Sequence, residues 1–221
     1  MSDILILIPN FNGENNLLKM YNDIMNQKIN NLDLLFVDDG SNDNSLNILK
    51  ENKINYINHK FNLGKGEALK SGIHYAFKNN YKWIITIDSD LQHSPKKIKD
   101  FIRLKSKKKI ILGWRKNKDK MPFERILSNI ITSKMISIRS NTIIKDSQCG
   151  FRMFPVEVKS DFICNEKGFQ YESEFLIKAV KNGYQIDHVI IPTIYNNEKS
   201  SMRNIPDTIK FISMYLRSFF W

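Results

Sequence analysis

The chain has 221 residues, of which 42% are hydrophobic and 26% charged, an ordinary globular balance with room for one large domain or two small ones. Its 34 basic and 23 acidic residues leave a formal net charge of +11, which points to an anionic partner (nucleic acid, a phosphorylated substrate or an anionic membrane) without choosing among them. Two cysteines, Cys149 and Cys164, exclude a disulfide framework and fit a reducing compartment, and no apolar run reaches the roughly 18–20 residues of a membrane-spanning helix.

Met1-Ser2-Asp3 leads straight into the apolar stretch Ile4–Ile8, with no basic region or cleavage site of a signal peptide. Ile4–Ile8 is the first predicted strand. Leu17, Leu18, Tyr21, Ile24 and Met25 then form a helical stripe, followed by a strand at Leu32–Val37 and a helix through Leu46 and Leu49. A short strand is predicted at Ile54–Ile57, a helix marked by Leu69, Ile73, Ala76 and Phe77, a strand at Trp83–Ile87, a helix at Ile98–Leu104 and a strand at Ile110–Leu112. This alternation implies βαβ units, hence an α/β, Rossmann-like, mainly parallel sheet with helices on both faces. The second half is less regular. Phe123–Ser140 forms one helix with apolar positions Ile126, Leu127, Ile130, Ile131 and Met135; Glu174–Val180 is helical and ends at Gly183; Tyr184–Ile191 is a strand; Pro206–Trp221 is a final helix. With no repeat or linker, one domain over 1–204 is expected, followed by an amphipathic helix over 205–221.

Three predicted strand ends carry polar clusters: Pro9-Asn10-Phe11-Asn12-Gly13, then Asp38-Asp39-Gly40-Ser41-Asn42-Asp43, then Asp88-Ser89-Asp90. In a parallel sheet these ends share one edge, where open α/β sheets bind ligands. Each cluster alone also suits a turn with a helix cap. Asp88 and Asp90 offer hard oxygen ligands to Mg²⁺ or Mn²⁺, an ion that usually also holds substrate phosphates.

The chain resembles the family-2 glycosyltransferases of the A-type glycosyltransferase fold, and more narrowly the dolichol-phosphate and polyprenyl-phosphate sugar transferases. The resemblance rests on those three clusters together with Asn62-Leu63-Gly64-Lys65-Gly66, Leu91-Gln92-His93, Gly113-Trp114-Arg115, Gln148-Cys149-Gly150-Phe151-Arg152 and Glu172-Ser173-Glu174, in the family's order, up to about Ser200. The chain departs from the pattern at Asn12-Gly13-Glu14, where many relatives have Asn-Glu, and at Ser89, where Ala is common.

The resemblance implies an inverting hexosyltransferase that uses a UDP- or GDP-hexose and a divalent cation. It assigns donor binding to Pro9, Phe11, Asn12, Asp38, Asp39, Asn62, Lys65, Asp88 and Ser89, and the cation to Asp88, Asp90 and Gln92. Gln92 has the alternative of a helix-entry hydrogen bond. A lipid phosphate, with a second pKa near ~6, needs cationic positioning rather than proton removal. Arg115, Arg125, Arg139 and Arg152 are the candidates, each with the alternative of a solvated basic face. A hydroxyl acceptor (diacylglycerol or a saccharide) needs a general base, for which Glu172 and Glu174 are the candidates; Glu174 alternatively orients the acceptor loop. Asp90, Glu172, Glu174 and Arg115 form the expected catalytic set.

The last helix, with Phe219, Phe220 and Trp221 beside Lys210 and Arg217, is expected at a membrane interface or in an oligomer or membrane-protein contact; the alternative is packing on the core. The resulting expectation is a cytoplasmic protein, peripheral on the inner face of the membrane. A basic nucleic-acid-binding module is the remote alternative. No such signature is present, and the carboxylate clusters would repel a phosphate backbone.

Overall fold

The computed structural model describes residues 2–117, 121–194 and 204–221. The strands are β1 (Ile4–Asn10), β2 (Leu32–Asp38), β3 (Tyr56–Asn58), β4 (Trp83–Thr86), β5 (Lys109–Arg115), β6 (Arg152–Pro155) and β7 (Gln185–Ile191). The helices are α1 (Glu14–Met25), α2 (Ser45–Glu51), α3 (Lys65–Lys78), α4 (Ile98–Arg103), α5 (Phe123–Ser140), α6 (Val158–Asp161), α7 (Gln170–Lys181) and α8 (Asn204–Arg217), with short 3-10 turns at Pro95–Lys97 and Ser218–Phe220. The strands form one sheet in the order β3-β2-β1-β4-β6-β5-β7. All neighbours are parallel except β6, which runs antiparallel to both β4 and β5. The mainly parallel α/β architecture expected from the sequence is therefore the one observed.

Period-two alternation sorts each central strand between two cores. In β1, Leu5 and Leu7 join the core made with α3, α5, α7 and Met214 of α8, whereas Ile4, Ile6 and Ile8 join the core made with α1, α2 and α4. Gly72 of α3 lets helix and sheet approach closely: a Cβ there would lie 2.1 Å from Leu7 Cδ1.

Three features depart from the sequence expectations. Arg152-Met153-Phe154-Pro155 is a strand although it starts with Arg, ends with Pro and does not alternate; pairing with β4 and β5 decides it, not propensity. Helix α7 begins at Gln170, four residues before its predicted start, and is buried nearly all round from Gln170 to Ile177. Helix α5 has the predicted bounds, yet its buried positions are Asn129, Ser133, Ile136 and Ser140, while Phe123, Leu127, Ile130, Ile131 and Ile138 are exposed.

Helix α8 packs through Met214, and Ser218 just beyond it is also buried. Gln170 Nε2 donates to the Asp207 carbonyl at 3.2 Å, and Arg217 pairs with Glu166 at 2.6 Å. Its other side exposes Ile209, Ile212 and Leu216, continued by Phe219 and Phe220. Among the described residues no helix is long and apolar enough to cross a membrane.

Replacing Gly72 by Ala is expected to lower stability by about 1–3 kcal/mol, because fully buried Leu7 cannot withdraw. Thermal denaturation followed by circular dichroism should show the midpoint falling by several degrees; an unchanged midpoint would mean that β1 and α3 are not packed as described.

Candidate active site

The C-terminal ends of β1, β2, β4, β5 and β7 lie on one edge, and antiparallel β6 starts there. Asn10 closes β1, and its Nδ2 donates to Asp38 Oδ1 at 3.0 Å. Asp38 also accepts from the Ser41 backbone N–H (3.2 Å) and hydroxyl (2.5 Å). Asn12, at φ 51°, stitches the two loops together: its N–H donates to Ser41 Oγ and its Oδ1 accepts from the Asn42 N–H, both at 2.8 Å. Pro9 is buried, whereas the Phe11 ring is 43% exposed at the rim.

Asp39 braces the next loop. Its carboxylate accepts from the Leu63 N–H (3.1 Å) and the Gly64 N–H (2.8 Å), and lies 2.6 Å from His59 Nδ1. Gly40, at φ 72°, is needed because the Phe61–Asn62 backbone passes where a Cβ would stand, 2.4 Å from the Phe61 carbonyl carbon. Asn62 is exposed on this loop. Gly64 (φ 101°) and Gly66 answer a different demand. A Cβ on either would meet the Lys167 carbonyl oxygen, at 2.6 and 2.7 Å, so these glycines admit a neighbouring stretch of backbone. The Lys167 carbonyl also accepts from the Glu67 N–H at 3.2 Å, in the first turn of α3.

Lys65 opens α3 and reaches across the edge. Its Nζ lies 2.8 Å from Asp88 Oδ1 and 3.2 Å from Glu172 Oε2, with the Phe169 ring centroid 5.8 Å away. Burial alone would discharge Lys65, but Asp88 and Glu172 reverse that and hold the ammonium's pKa above its ordinary value. Burial likewise opposes ionisation of Asp88, yet Lys65 and His93 overcome it and keep this carboxyl well below the usual carboxylate range. Burial and then the negative charge of Asp88 push Asp90 upward.

Ser89 sits half-buried between the two aspartates. The Gln92 backbone N–H donates to Asp90 Oδ1 at 3.0 Å, and Leu91, at φ 59°, turns the chain there in a conformation costly for a branched side chain. His93 is buried with Nε2 3.7 Å from Asp88 Oδ2, and among the described residues its Nδ1 has no hydrogen-bond partner. On the other side of Asp88, a Cβ at Gly150 would fall 2.2 Å from Oδ2.

This donor set fits a divalent cation. It consists of hard carboxylate oxygens, and the upward push on Asp90, from burial and then from the charge of Asp88, is one that a dication beside both carboxylates would relieve. Among the described residues no group of three or more His, Cys, Asp or Glu is placed to hold a metal ion, so the protein offers two carboxylates here and not a full ligand set.

The other candidates separate. Glu172 is buried and faces Lys65. Glu174, two residues on, accepts from the Asn165 and Glu166 N–H groups (both 2.8 Å) and from Lys178 (2.6 Å), so it anchors the 165–166 loop. Arg115 ends β5, held by Asp146 through Nε (2.8 Å) and Nη2 (2.9 Å), and Asp146 also accepts from Asn129 Nδ2 at 2.6 Å. Arg125 lies half-buried in the first turn of α5.

Two acceptor-phosphate assignments are corrected. Arg152 donates to the carbonyls of Cys149, Glu172 and Ser147 at 2.8–2.9 Å and is buried beneath α7, where it braces backbone. Arg139, at the far end of α5, donates to the hydroxyl and carbonyl of Ser218 and stacks on Phe219. Burial, then Asp146, pushes the Cys149 thiol up to about 12, which disfavours the thiolate at neutral pH. Asp146, His59 and the Lys65–Glu172 bridge were missed in the sequence. A histidine just after a short strand and an aspartate between polar residues carry no local signal of their partners.

The Glu172–Glu174 pair makes a testable contrast. Glu174→Gln leaves Lys178 and a part-buried backbone donor short of an acceptor, at a cost of about 1–3 kcal/mol. Glu172→Gln costs less, because Lys65 keeps Asp88. Urea denaturation of the two variants should rank them in that order; equal losses would contradict the assignment of Glu174 to the loop.

The model for glycosyl transferase family 2 matches residues 5–162. An uncharacterised protein of Methanocaldococcus jannaschii is 33% identical over 213 residues, covering 90% of this chain and 91% of the relative. A Methanococcus voltae protein named UDP-N-acetylglucosamine–dolichyl-phosphate N-acetylglucosaminyltransferase is 30% identical, covering 96% of this chain and 93% of the relative. Among solved structures, glucosyl-3-phosphoglycerate synthase of Mycobacterium tuberculosis in complex with Mn²⁺, UDP and phosphoglyceric acid superimposes with a TM-score of 0.76 at 14% identity, over 98% of this chain and 78% of that one. That likeness is one of fold.

Proposed function

The chain belongs to glycosyl transferase family 2 and is a nucleotide-sugar-dependent glycosyltransferase, and from that premise we propose that it moves a hexose from a UDP- or GDP-activated donor to a polyprenyl phosphate at a membrane surface, inverting the anomeric carbon. The observation that carries the choice of acceptor is the reversed polarity of α5. Its inward face is Asn129, Ser133 and Ser140 around Ile136, and its outward face is Phe123, Leu127, Ile130 and Ile131. A helix that turns apolar side chains to solvent beside basic residues suits a lipid surface. Arg125 lies in the first turn of α5 and Arg115 meets Asn129 of the same helix through Asp146, so cations and the apolar stripe meet at one helix, as an acceptor with a phosphate head and a prenyl tail requires. The name of the Methanococcus voltae relative supports the same acceptor class.

On the donor side, Phe11 offers an exposed ring to the base, and Asp38 and Asp39 accept hydrogen bonds from a base N–H or ribose hydroxyl. Asn12 keeps the Asp38–Ser41 turn in register with β1. Lys65 faces the diphosphate from the start of α3. Asp88 and Asp90, with Ser89 between them, would hold Mg²⁺ or Mn²⁺; such a cation would supply Lewis-acid stabilisation of the charge that grows on the departing diphosphate. The sugar carbon passes through an oxocarbenium-like state. A phosphate acceptor is already anionic at neutral pH, so Arg115 and Arg125 position it and no residue needs to remove its proton. Asp146 holds Arg115 in a single orientation for this. The second reading, a hydroxyl acceptor, draws on Glu172, a buried carboxylate at the same edge.

Isothermal calorimetry is expected to show UDP or GDP binding that depends on Mn²⁺ or Mg²⁺ and is lost in Gly150→Ala, whose Cβ would occupy the place of the Asp88 carboxylate. Turnover with a short prenyl phosphate should persist in Glu172→Gln, even if reduced. Abolished turnover with intact donor binding would favour a hydroxyl acceptor instead.

For the membrane, co-sedimentation with vesicles containing anionic lipid should fall several-fold when Leu127, Ile130 and Ile131 are replaced by Ser, with little loss of stability because these side chains are exposed. Unchanged sedimentation, or a change of oligomeric state in its place, would contradict a lipid-facing α5.

A further inference from the structure

Lys65 occupies an unusual position for a donor-binding residue, because its ammonium already has two anions. It is within 2.8 Å of Asp88 and 3.2 Å of Glu172. Its backbone cannot follow a ligand: Gly64 and Gly66 on either side press against the Lys167 carbonyl, and the Asp39 carboxylate holds the Gly64 N–H. The side chain, by contrast, has four rotatable bonds and two alternative berths. Asp88 is also one of the two carboxylates offered to a divalent cation, and two cations at one carboxylate oxygen repel strongly in a half-buried site.

We infer that Lys65 is a resident counter-cation. It neutralises Asp88 in the unliganded enzyme, then yields that carboxylate and turns to Glu172 and the donor diphosphate when nucleotide and divalent cation bind. Glu172 is on this account a positioning residue, the second berth that keeps the ammonium within reach of the diphosphate. The exchange makes cation and nucleotide bind together. Without a diphosphate to receive Lys65, a free divalent cation must displace it onto Glu172 alone and therefore binds weakly. This inference rests on the donor site proposed above and adds the order in which its charges are rearranged.

The test is Mn²⁺ binding to the full chain in the absence of nucleotide, read from the free-ion signal in electron paramagnetic resonance. Lys65→Met is expected to bind Mn²⁺ at least about tenfold more tightly than the parent, and Lys65→Arg, which keeps the charge, to bind it about as weakly. With Mn²⁺ present, UDP should bind Lys65→Met less tightly than the parent. Mn²⁺ affinity in Lys65→Met equal to or below the parent's would overturn the inference.

Because Lys65→Met leaves Asp88 and Glu172 without their partner and risks misfolding, the parent protein provides an independent readout. Acetylation of Lys65, followed by mass spectrometry, should speed up in saturating Mn²⁺ and slow again when UDP is added. A rate that Mn²⁺ does not change would overturn the inference as well. The two levels fail separately: a chain that transfers to prenyl phosphate but shows neither effect loses the counter-cation alone, whereas one that shows both effects and transfers nothing loses the acceptor reading alone.

Discussion

The ionised carboxylate of Asp88 is the feature around which this site is built. It stands just past the end of β4, where burial disfavours its charge, and the ammonium of Lys65 reverses that preference. The backbone geometry nearby serves to put that ammonium in place. Asp39 fixes the loop that leads into α3 by holding two successive N–H groups. Glu174 fixes the 165–166 loop, and the adjoining Lys167 carbonyl lies against Gly64 and Gly66. Asp39, expected from the sequence to bind donor, and Glu174, expected to be catalytic, thus act on Lys65 through backbone. Such braces hold a charged group to a fraction of an ångström more reliably than loops left to themselves.

The same logic explains the reversal of α5. Arg115 must be held at the end of β5, and the group that holds it is Asp146, buried with no access to water. A buried carboxylate needs further donors, and α5 supplies Asn129 for it and Ser133 for neighbouring Ser147. Polar residues are therefore spent on the inner face of the helix. What remains for the outer face is Phe123, Leu127, Ile130 and Ile131, an exposed apolar stripe of the kind that marks an interaction surface. An electrostatic requirement inside the site and an apolar surface outside it are two sides of one helix.

Much of the sheet was legible because its signal is local. Ile4–Ile8, Leu32–Val37 and Trp83–Ile87 are short apolar runs separated by amphipathic helices, and parallel strands buried on both faces have that appearance. The clusters after β1, β2 and β4 followed, since parallel connectivity puts such ends on one edge. What the sequence concealed depends on partners far along the chain. Strand β6 exists because β4 and β5, about 70 and 40 residues earlier, offer it two edges. Arg152 is a brace rather than a phosphate ligand because three carbonyls converge on it. Helical periodicity in α5 identified the stripe, but periodicity cannot say whether a stripe faces the core or the outside. Glu172 and Glu174, alike in sequence, part company because successive even positions on a helix point about 200° apart.

The central claim is that Asp88 and Asp90 jointly hold the cation that a nucleotide brings. Anomalous diffraction at the manganese edge, from crystals grown with Mn²⁺ and UDP, tests it most directly. The account predicts a peak at roughly 2.0–2.3 Å from a carboxylate oxygen of at least one of the two aspartates, with the other bound directly or through water and the Lys65 ammonium moved off Asp88 toward the diphosphate. A nucleotide bound at this edge with no peak beside either aspartate, or a peak elsewhere on the molecule, would contradict it.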